Sequence, residues 1–195
     1  FQNSTLTGNG GNGLSLINVR NTNPLHSTLV TALPGFASTF TGNAGNGIFV
    51  DLNQAAAVQR LRVEFSTLNG NNTGLMAQAD GVGAFLTTDV IQNISIANNL
   101  KDGIFLRSIN GGLHVATVTN VGARLNMDGN GAAGSGNGFT ILAGDTVSVN
   151  QSTMIAVISN ISLQNIGLAS TDSGVFAGTG GRGLLNLNAD DLLIQ

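Results

Sequence analysis

Cysteine, tryptophan and tyrosine are absent from this chain of 195 residues, proline occurs twice, and charged residues make up only 9%. Without cysteine there can be no disulfide, no thiolate catalysis and no cysteine zinc site, although this absence does not fix the compartment. Seven basic residues against ten acidic ones give a net charge of −3 and no basic patch to neutralise phosphates, which argues against a nucleic-acid partner. No stretch approaches the roughly 18 uninterrupted apolar residues of a membrane span. Disorder combines low hydrophobicity with high net charge, whereas here the net charge is small and apolar residues reach 42%. The length suits one domain, 1–195, with a sizeable core. The sequence starts at Phe1 without a methionine or a visible signal peptide, so the expectation is a processed protein or part of a longer one.

The room left by charges is filled by 28 glycines and 25 asparagines. Both residues favour turns and tolerate positive φ, which excludes a helix bundle. An internal repeat is visible. A short alternating apolar segment is followed by an Asn/Gly turn and then by Gly with a second apolar segment. Examples are Ser38-Thr39-Phe40 before Asn46-Gly47-Ile48-Phe49-Val50, and Ile94-Ser95-Ile96 before Asp102-Gly103-Ile104-Phe105-Leu106. Turn glycines stand at Gly13, Gly47, Gly74, Gly103, Gly138 and Gly174, and Leu185-Asn186-Leu187 begins a degenerate last unit without one. A period of about 30 residues suits one coil of a parallel β-solenoid. Strands are predicted at Leu14–Val19, Leu61–Phe65, Phe85–Ile91, Leu113–Val121, Thr146–Val149 and Ile155–Ile158, where Val, Ile, Thr and Phe alternate with polar residues. Corner Asn and Gly are expected to turn the chain through left-handed conformations, with asparagines hydrogen-bonding along the stack as ladders. Gln54–Val58 predicts one helical turn at most, and Pro24 and Pro34 both fall in the loop-like N-terminal third.

The phrase Gly42-Asn43-Ala44-Gly45-Asn46-Gly47-Ile48-Phe49-Val50-Asp51 resembles the coil motif of right-handed parallel β-helix repeat proteins, as found in large secreted or surface bacterial proteins. The resemblance covers most of the chain and is compositional. It implies an all-β fold, a single right-handed solenoid, and an extracellular or cell-surface location, and the repeat count and period give about five to seven coils. It implies no particular activity.

Several motifs have a plainer reading. Gly8/Gly10/Gly13, Gly129/Gly131/Gly134 and Gly178/Gly180/Gly183 fit G-x-G-x-x-G, but strand-like segments rather than helices follow the first and the last, so no helix N-terminus meets a phosphate. Gly10-Gly11-Asn12-Gly13 and Gly180-Gly181-Arg182-Gly183 lack the aspartate of calcium-binding repeats, so no repeating calcium stack and no cofactor are expected, while single ions held by carbonyls and Asp side chains stay open. His26 and His114 lie in different coils without a serine motif and read as surface or stacking residues. Adjacent Asp190 and Asp191 would point to opposite faces of a strand, not toward each other as a catalytic pair. Arg60, Arg62 and Glu64 alternate on one face, which reads as solvated, with a sugar-binding stripe as the sharper alternative. Sequons at Asn3, Asn71, Asn93, Asn150 and Asn160 are expected in a chain so rich in Asn, Ser and Thr.

Phe49, Phe105 and Phe176 hold the same place in their units, and Met76 shares it. Alternation turns Ile48, Val50, Ile104, Leu106 and Val175 inward and these residues outward, while a bulge after Gly would reverse them. The expectation for function is an extracellular structural protein without catalysis, assembling with copies of itself into a filament or surface layer. Contacts are expected from Phe1 and Leu6 at one end, from Leu192, Leu193 and Ile194 at the other, and laterally from Phe49, Phe105 and Phe176. The alternatives are a carbohydrate-binding or adhesive module with a polysaccharide partner, and behind it a β-helix polysaccharide lyase. Lys101 and Asp102 are neighbours at a corner rather than the facing pair that such a lyase needs.

Overall fold

The structure, a computed structural model, describes residues 1–17, 28–33, 35–53, 58–121, 125–131, 136–147, 149–166 and 172–194. Pro24, Pro34, His26, Gly134 and the alanines of the expected helical turn lie outside them. Sixteen strands follow one another: β1 (Thr5–Thr7), β2 (Leu14–Ile17), β3 (Thr28–Val30), β4 (Ser38–Thr41), β5 (Asn46–Leu52), β6 (Val58–Glu64), β7 (Ser66–Thr67), β8 (Thr73–Asp80), β9 (Phe85–Gln92), β10 (Ile104–Ile109), β11 (Leu113–Val118), β12 (Leu125–Asp128), β13 (Phe139–Ala143), β14 (Ser152–Gln164), β15 (Val175–Thr179) and β16 (Gly183–Ile194). Every pairing is parallel and joins strands from successive turns, and no helix occurs among the described residues. The chain is a β-solenoid of about five turns.

Sheet 1 stacks β2, β5, β8, β10, β13 and β15. Sheet 2 stacks β3, β6, β9, β11 and the first part of β14, with β16 on its far side. Sheet 3 begins with β1, β4 and β7, and the Thr67–Ser95 bridge and the Asn98 N–H to Asp128 carbonyl bond carry this wall to β12, the end of β14 and the end of β16. The core fills the space between the walls with columns of like residues in register. One column runs Leu14, Ile48, Leu75, Ile104, Phe139 and Val175, and another Val30, Val63, Val90, Val118, Ile158 and Ala189. Stacking identical or similar side chains layer on layer keeps each column apolar, which is why alternation in the sequence reads out the interior.

The corners are set by two glycine columns with different causes. Gly8, Gly42, Gly70 and Gly129 have φ near +65°, and Asn98 (φ 55°) and Asn165 (φ 49°) hold the same place in their coils. Only these residues supply the left-handed turn at little cost. The turn glycines of the repeat are not left-handed, which corrects the expectation for them. A Cβ at Gly47 would lie 2.7 Å from the Gly74 carbonyl oxygen and 2.9 Å from Asn71 Nδ2, so the demand there is space. The residue after each left-handed position builds an internal ladder: Asn9, Asn43, Asn71, Asn99 and Asn130. In each step one backbone N–H and one side-chain amide donate to the next Oδ1, and the next amide also donates back to a carbonyl of the coil before. Asn71 is thus fully buried, not a surface sequon. The ladder stops where Ile166 replaces asparagine and packs against the core.

Other expectations need correction. The Thr146–Val149 stretch forms no strand in its described residues; Val147 and Val149 stand out into solvent, so alternation there marks an exposed loop. Leu185-Asn186-Leu187 does not begin a seventh unit, because it pairs with Met154–Ala156 on sheet 2, and Leu192–Ile194 takes the sheet 3 position instead. Asp190 and Asp191 do not alternate across a strand: Asp191 has φ +49°, and both are exposed at a corner.

Candidate functional site

Sheet 1 carries the expected outward column. In register order it reads Ser15, Phe49, Met76, Phe105, Thr140 and Phe176. Phe49, Met76 and Phe105 are half-buried neighbours in three successive layers, about 4.8 Å apart, and Phe176 is exposed. Ile48, Val50, Ile104 and Leu106 are fully buried behind them and Val175 partly so; no bulge reverses the faces.

Two polar columns flank the aromatic one. On one side Asn12, Asn46, Asp102, Asn137 and Ser173 lock successive coils together. The backbone N–H of Asn137 and the Thr140 hydroxyl donate to Asp102 Oδ1 at 2.8 and 2.9 Å. Lys101, next to it, is exposed. On the other side the column is Asp51, Gln78, Arg107 and Leu142. Gln78 Nε2 donates to Asp51 Oδ1 at 3.3 Å. Burial and the nearby Asp80 carboxylate raise the Asp51 pKa above its usual value. The Arg107 side chain has no hydrogen-bond or ion-pair partner among the described residues, and its Nε is buried.

Arg60 and Arg62 behave differently. Arg60 donates to Asp89 through Nε at 3.0 Å and Nη2 at 2.8 Å, and Arg62 pairs with Glu64. The face they share is outward, and its cations are satisfied. Further along sheet 2 the outer face becomes apolar, with Leu113 and Val115 partly exposed and Ile155, Val157 and Leu184 exposed.

His114 is not at the surface; of the two readings the sequence left, it takes the stacking one. Its column on sheet 2 is Gln59, Leu86, His114, Met154 and Leu185, all core-facing. The ring is fully buried, with Nε2 2.9 Å from the Thr88 hydroxyl and Nδ1 3.2 Å from the Arg107 carbonyl. Desolvation pushes its pKa down to about 4, so the imidazole is neutral at physiological pH. No group of three or more acidic or histidine side chains is placed to hold a metal ion among the described residues.

At the two ends of the stack lie the remaining expected contact residues. Phe1 is exposed, with its amino group donating to the Leu29 carbonyl at 2.9 Å, and Leu6 is partly buried beside the core. Leu192 and Leu193 are partly buried and Ile194 exposed along β16. These end residues are far in sequence register from the Phe column, so the structure forms two kinds of surface, end faces and side walls. Asp51, Gln78 and Arg107 escaped the sequence reading, yet the signal was present: each lies two residues after Phe49, Met76 or Phe105, hence on the same face.

Comparison with known proteins adds no relative: no family model, curated protein or solved structure matches this chain. Among the described residues no helix is long and apolar enough to cross a membrane.

Proposed function

We propose that the protein is an extracellular structural subunit that builds a filament or surface layer from copies of itself, without catalysis. The observation that supports this most is the match between its two end faces. The outer edge of β16 pairs with no strand among the described residues, and core-facing Leu185, Leu187 and Leu192 stay partly exposed there. The edges of β1, β2 and β3 are likewise unpaired at the other end. A shift of six layers sets the first layer on the last in sheets 1 and 2, with Leu14 on Val175, Leu16 on Ala177 and Val30 on Ala189, so these core columns continue with apolar neighbours; sheet 3 has one layer more, and its Leu192–Ile194 end gives way to β1 of the next copy. A head-to-tail contact of this kind does not close and propagates as a fibre. Low charge opposes it little. Lateral association falls to Phe176 and to the apolar outer rows of sheet 2, and the extracellular location rests on the resemblance of the Asn-Gly phrases to surface repeat proteins.

Ala177 is exposed at the end face, so Ala177→Arg blocks stacking without disturbing the fold. Sedimentation of the purified protein is expected to show mass rising with concentration, and Ala177→Arg to abolish the rise. A wild-type chain that stays monomeric at every concentration contradicts the reading, as does turnover of pectin or alginate by the purified protein.

A further inference from the structure

We propose that Asn9, followed by Gly10, is the one Asn–Gly pair of the folded chain that is modified by succinimide formation, while the coils hold the other six inert. The chemistry needs no enzyme, and its one co-reactant is water. The Gly10 backbone nitrogen gives up its proton and attacks Cγ of Asn9. An N–Cγ bond forms, the Cγ–Nδ2 bond breaks, and the side-chain amide leaves as ammonia, carrying the proton with it. Water then opens the five-membered imide at either carbonyl. The products are an aspartate in the ordinary chain, or an isoaspartate whose backbone runs through the side chain. Glycine favours the attack because no Cβ shields its nitrogen. Two parts must be free to reach the attacking geometry, the glycine N–H and the asparagine side chain.

Asn–Gly occurs seven times, beginning at Asn9, Asn12, Asn46, Asn69, Asn110, Asn130 and Asn137, and both residues of every pair are described. From Asn12 onward the glycine is held. Gly13 donates to the Asn46 carbonyl at 2.9 Å, Gly70 to that of Ala97 at 3.0 Å, Gly131 to that of Asn99 at 2.9 Å and Gly138 to that of Ser173 at 3.1 Å. Gly111 donates to the Ser152 hydroxyl at 3.0 Å, and Gly47 lies within β5, packed against the Gly74 carbonyl. Their asparagines are tied as well. Asn69 Oδ1 accepts the Ala97 N–H at 2.7 Å, Asn110 Nδ2 donates to Asp80 at 2.7 Å, and Asn137 Oδ1 accepts the Ser173 N–H at 2.8 Å.

Asn9–Gly10 differs on both counts. The Gly10 N–H has no partner among the described residues, and a Cβ at Gly10 or Gly11 would meet nothing within 4 Å. Asn9 is exposed, and its side chain makes one bond, from the amide to Asn43 Oδ1 at 2.8 Å. As the first rung of the ladder it accepts nothing on its own Oδ1 among the described residues. Each further hydrogen bond that has to break before the attack slows it by about tenfold. The product removes the donor that Asn43 Oδ1 receives, so modification loosens the first rung. In the proposed stack the Gly10 N–H meets the Ile166 carbonyl of the neighbouring copy, as Gly131 meets Asn99, and the site closes. Only this shielding rests on self-association.

Incubation of the whole chain at mildly alkaline pH, kept unstacked by Ala177→Arg, tests the site, with digestion at acid pH and mass spectrometry to place each amide-to-acid conversion. Conversion at Asn9 is expected to run at least tenfold faster than at any other Asn–Gly pair. In urea the seven are expected to react at similar rates, and Gly10→Ala to slow Asn9 at least tenfold in the folded chain. Another pair that keeps pace with Asn9 in the folded chain overturns the proposal. So does an Asn9 that stays intact in the folded chain while the unfolded chain reacts, or one that Gly10→Ala leaves as fast. Concentrated wild-type chain is expected to convert Asn9 at least tenfold more slowly than Ala177→Arg does, and equal rates would contradict the shielding while leaving the site standing.

Discussion

Oδ1 of Asn71 accepts two hydrogen bonds from Asn43, the backbone N–H at 3.1 Å and the side-chain amide at 2.8 Å, while its own amide donates to the Phe40 carbonyl at 2.8 Å. One fully buried side chain thus ties two coils, and its removal leaves the Asn43 N–H and the Phe40 carbonyl without these partners. At about 1–3 kcal/mol for each buried group left unsatisfied, Asn71→Ala is expected to destabilise by about 4 kcal/mol. Thr7→Ala, on the exposed surface of β1, is expected to change stability by less than about 0.5 kcal/mol. Urea unfolding of both variants measures the difference, and equal midpoints contradict the ladder's role.

A second contrast separates the glycines. Gly47→Ala brings its Cβ against the backbone of the next coil and against the ladder, and a loss of about 2 kcal/mol or more is expected. Gly10, whose Cβ would meet nothing within 4 Å and whose φ is not left-handed, accepts alanine within about 1 kcal/mol in either direction. Thermal melts of the two single variants check this, and a Gly10→Ala loss as large as that of Gly47→Ala would count against a demand for space.

The buried imidazole makes stability depend on pH. Folded His114 takes its proton only at about pH 4, against 6.5 for the solvated imidazole of the unfolded chain. As pH falls the unfolded chain therefore binds the proton first, and stability drops between pH 6.5 and 4, with no contribution above pH 7 and no further loss below 4. By linkage the loss from this group between pH 7 and 5 is about 2 kcal/mol. His114→Leu, in a column already holding Leu86 and Leu185, is expected to flatten the pH profile by that amount in urea titrations. A variant whose stability falls with pH as steeply as the wild type would contradict a buried neutral histidine.

The fold was legible because the solenoid repeats one physical demand in every coil. Alternation in Ile48-Phe49-Val50 and Ile104-Phe105-Leu106 states which side faces the core, and the turn glycine marks each return to sheet 1. What distinguishes Asn71 from exposed asparagines such as Asn98 is the coil above and below it, and local pattern carries no trace of that. The same holds for the two kinds of glycine, one needing positive φ and the other space against a neighbouring layer. His114 alternates correctly with Leu113 and Val115 as an inward residue, but only the Thr88 hydroxyl in the adjacent layer makes its burial tolerable.

Electron microscopy with fibre diffraction of the concentrated protein tests the central claim of end-to-end assembly most directly. Six stacked layers of sheet 1, about 4.8 Å each, set an axial repeat of about 29 Å per copy, with a 4.8 Å reflection along the fibre axis because the strands run across it. Fibres with that repeat, missing in Ala177→Arg, are the result expected. Dispersed particles of 19.8 kDa with no fibres at any concentration would contradict it.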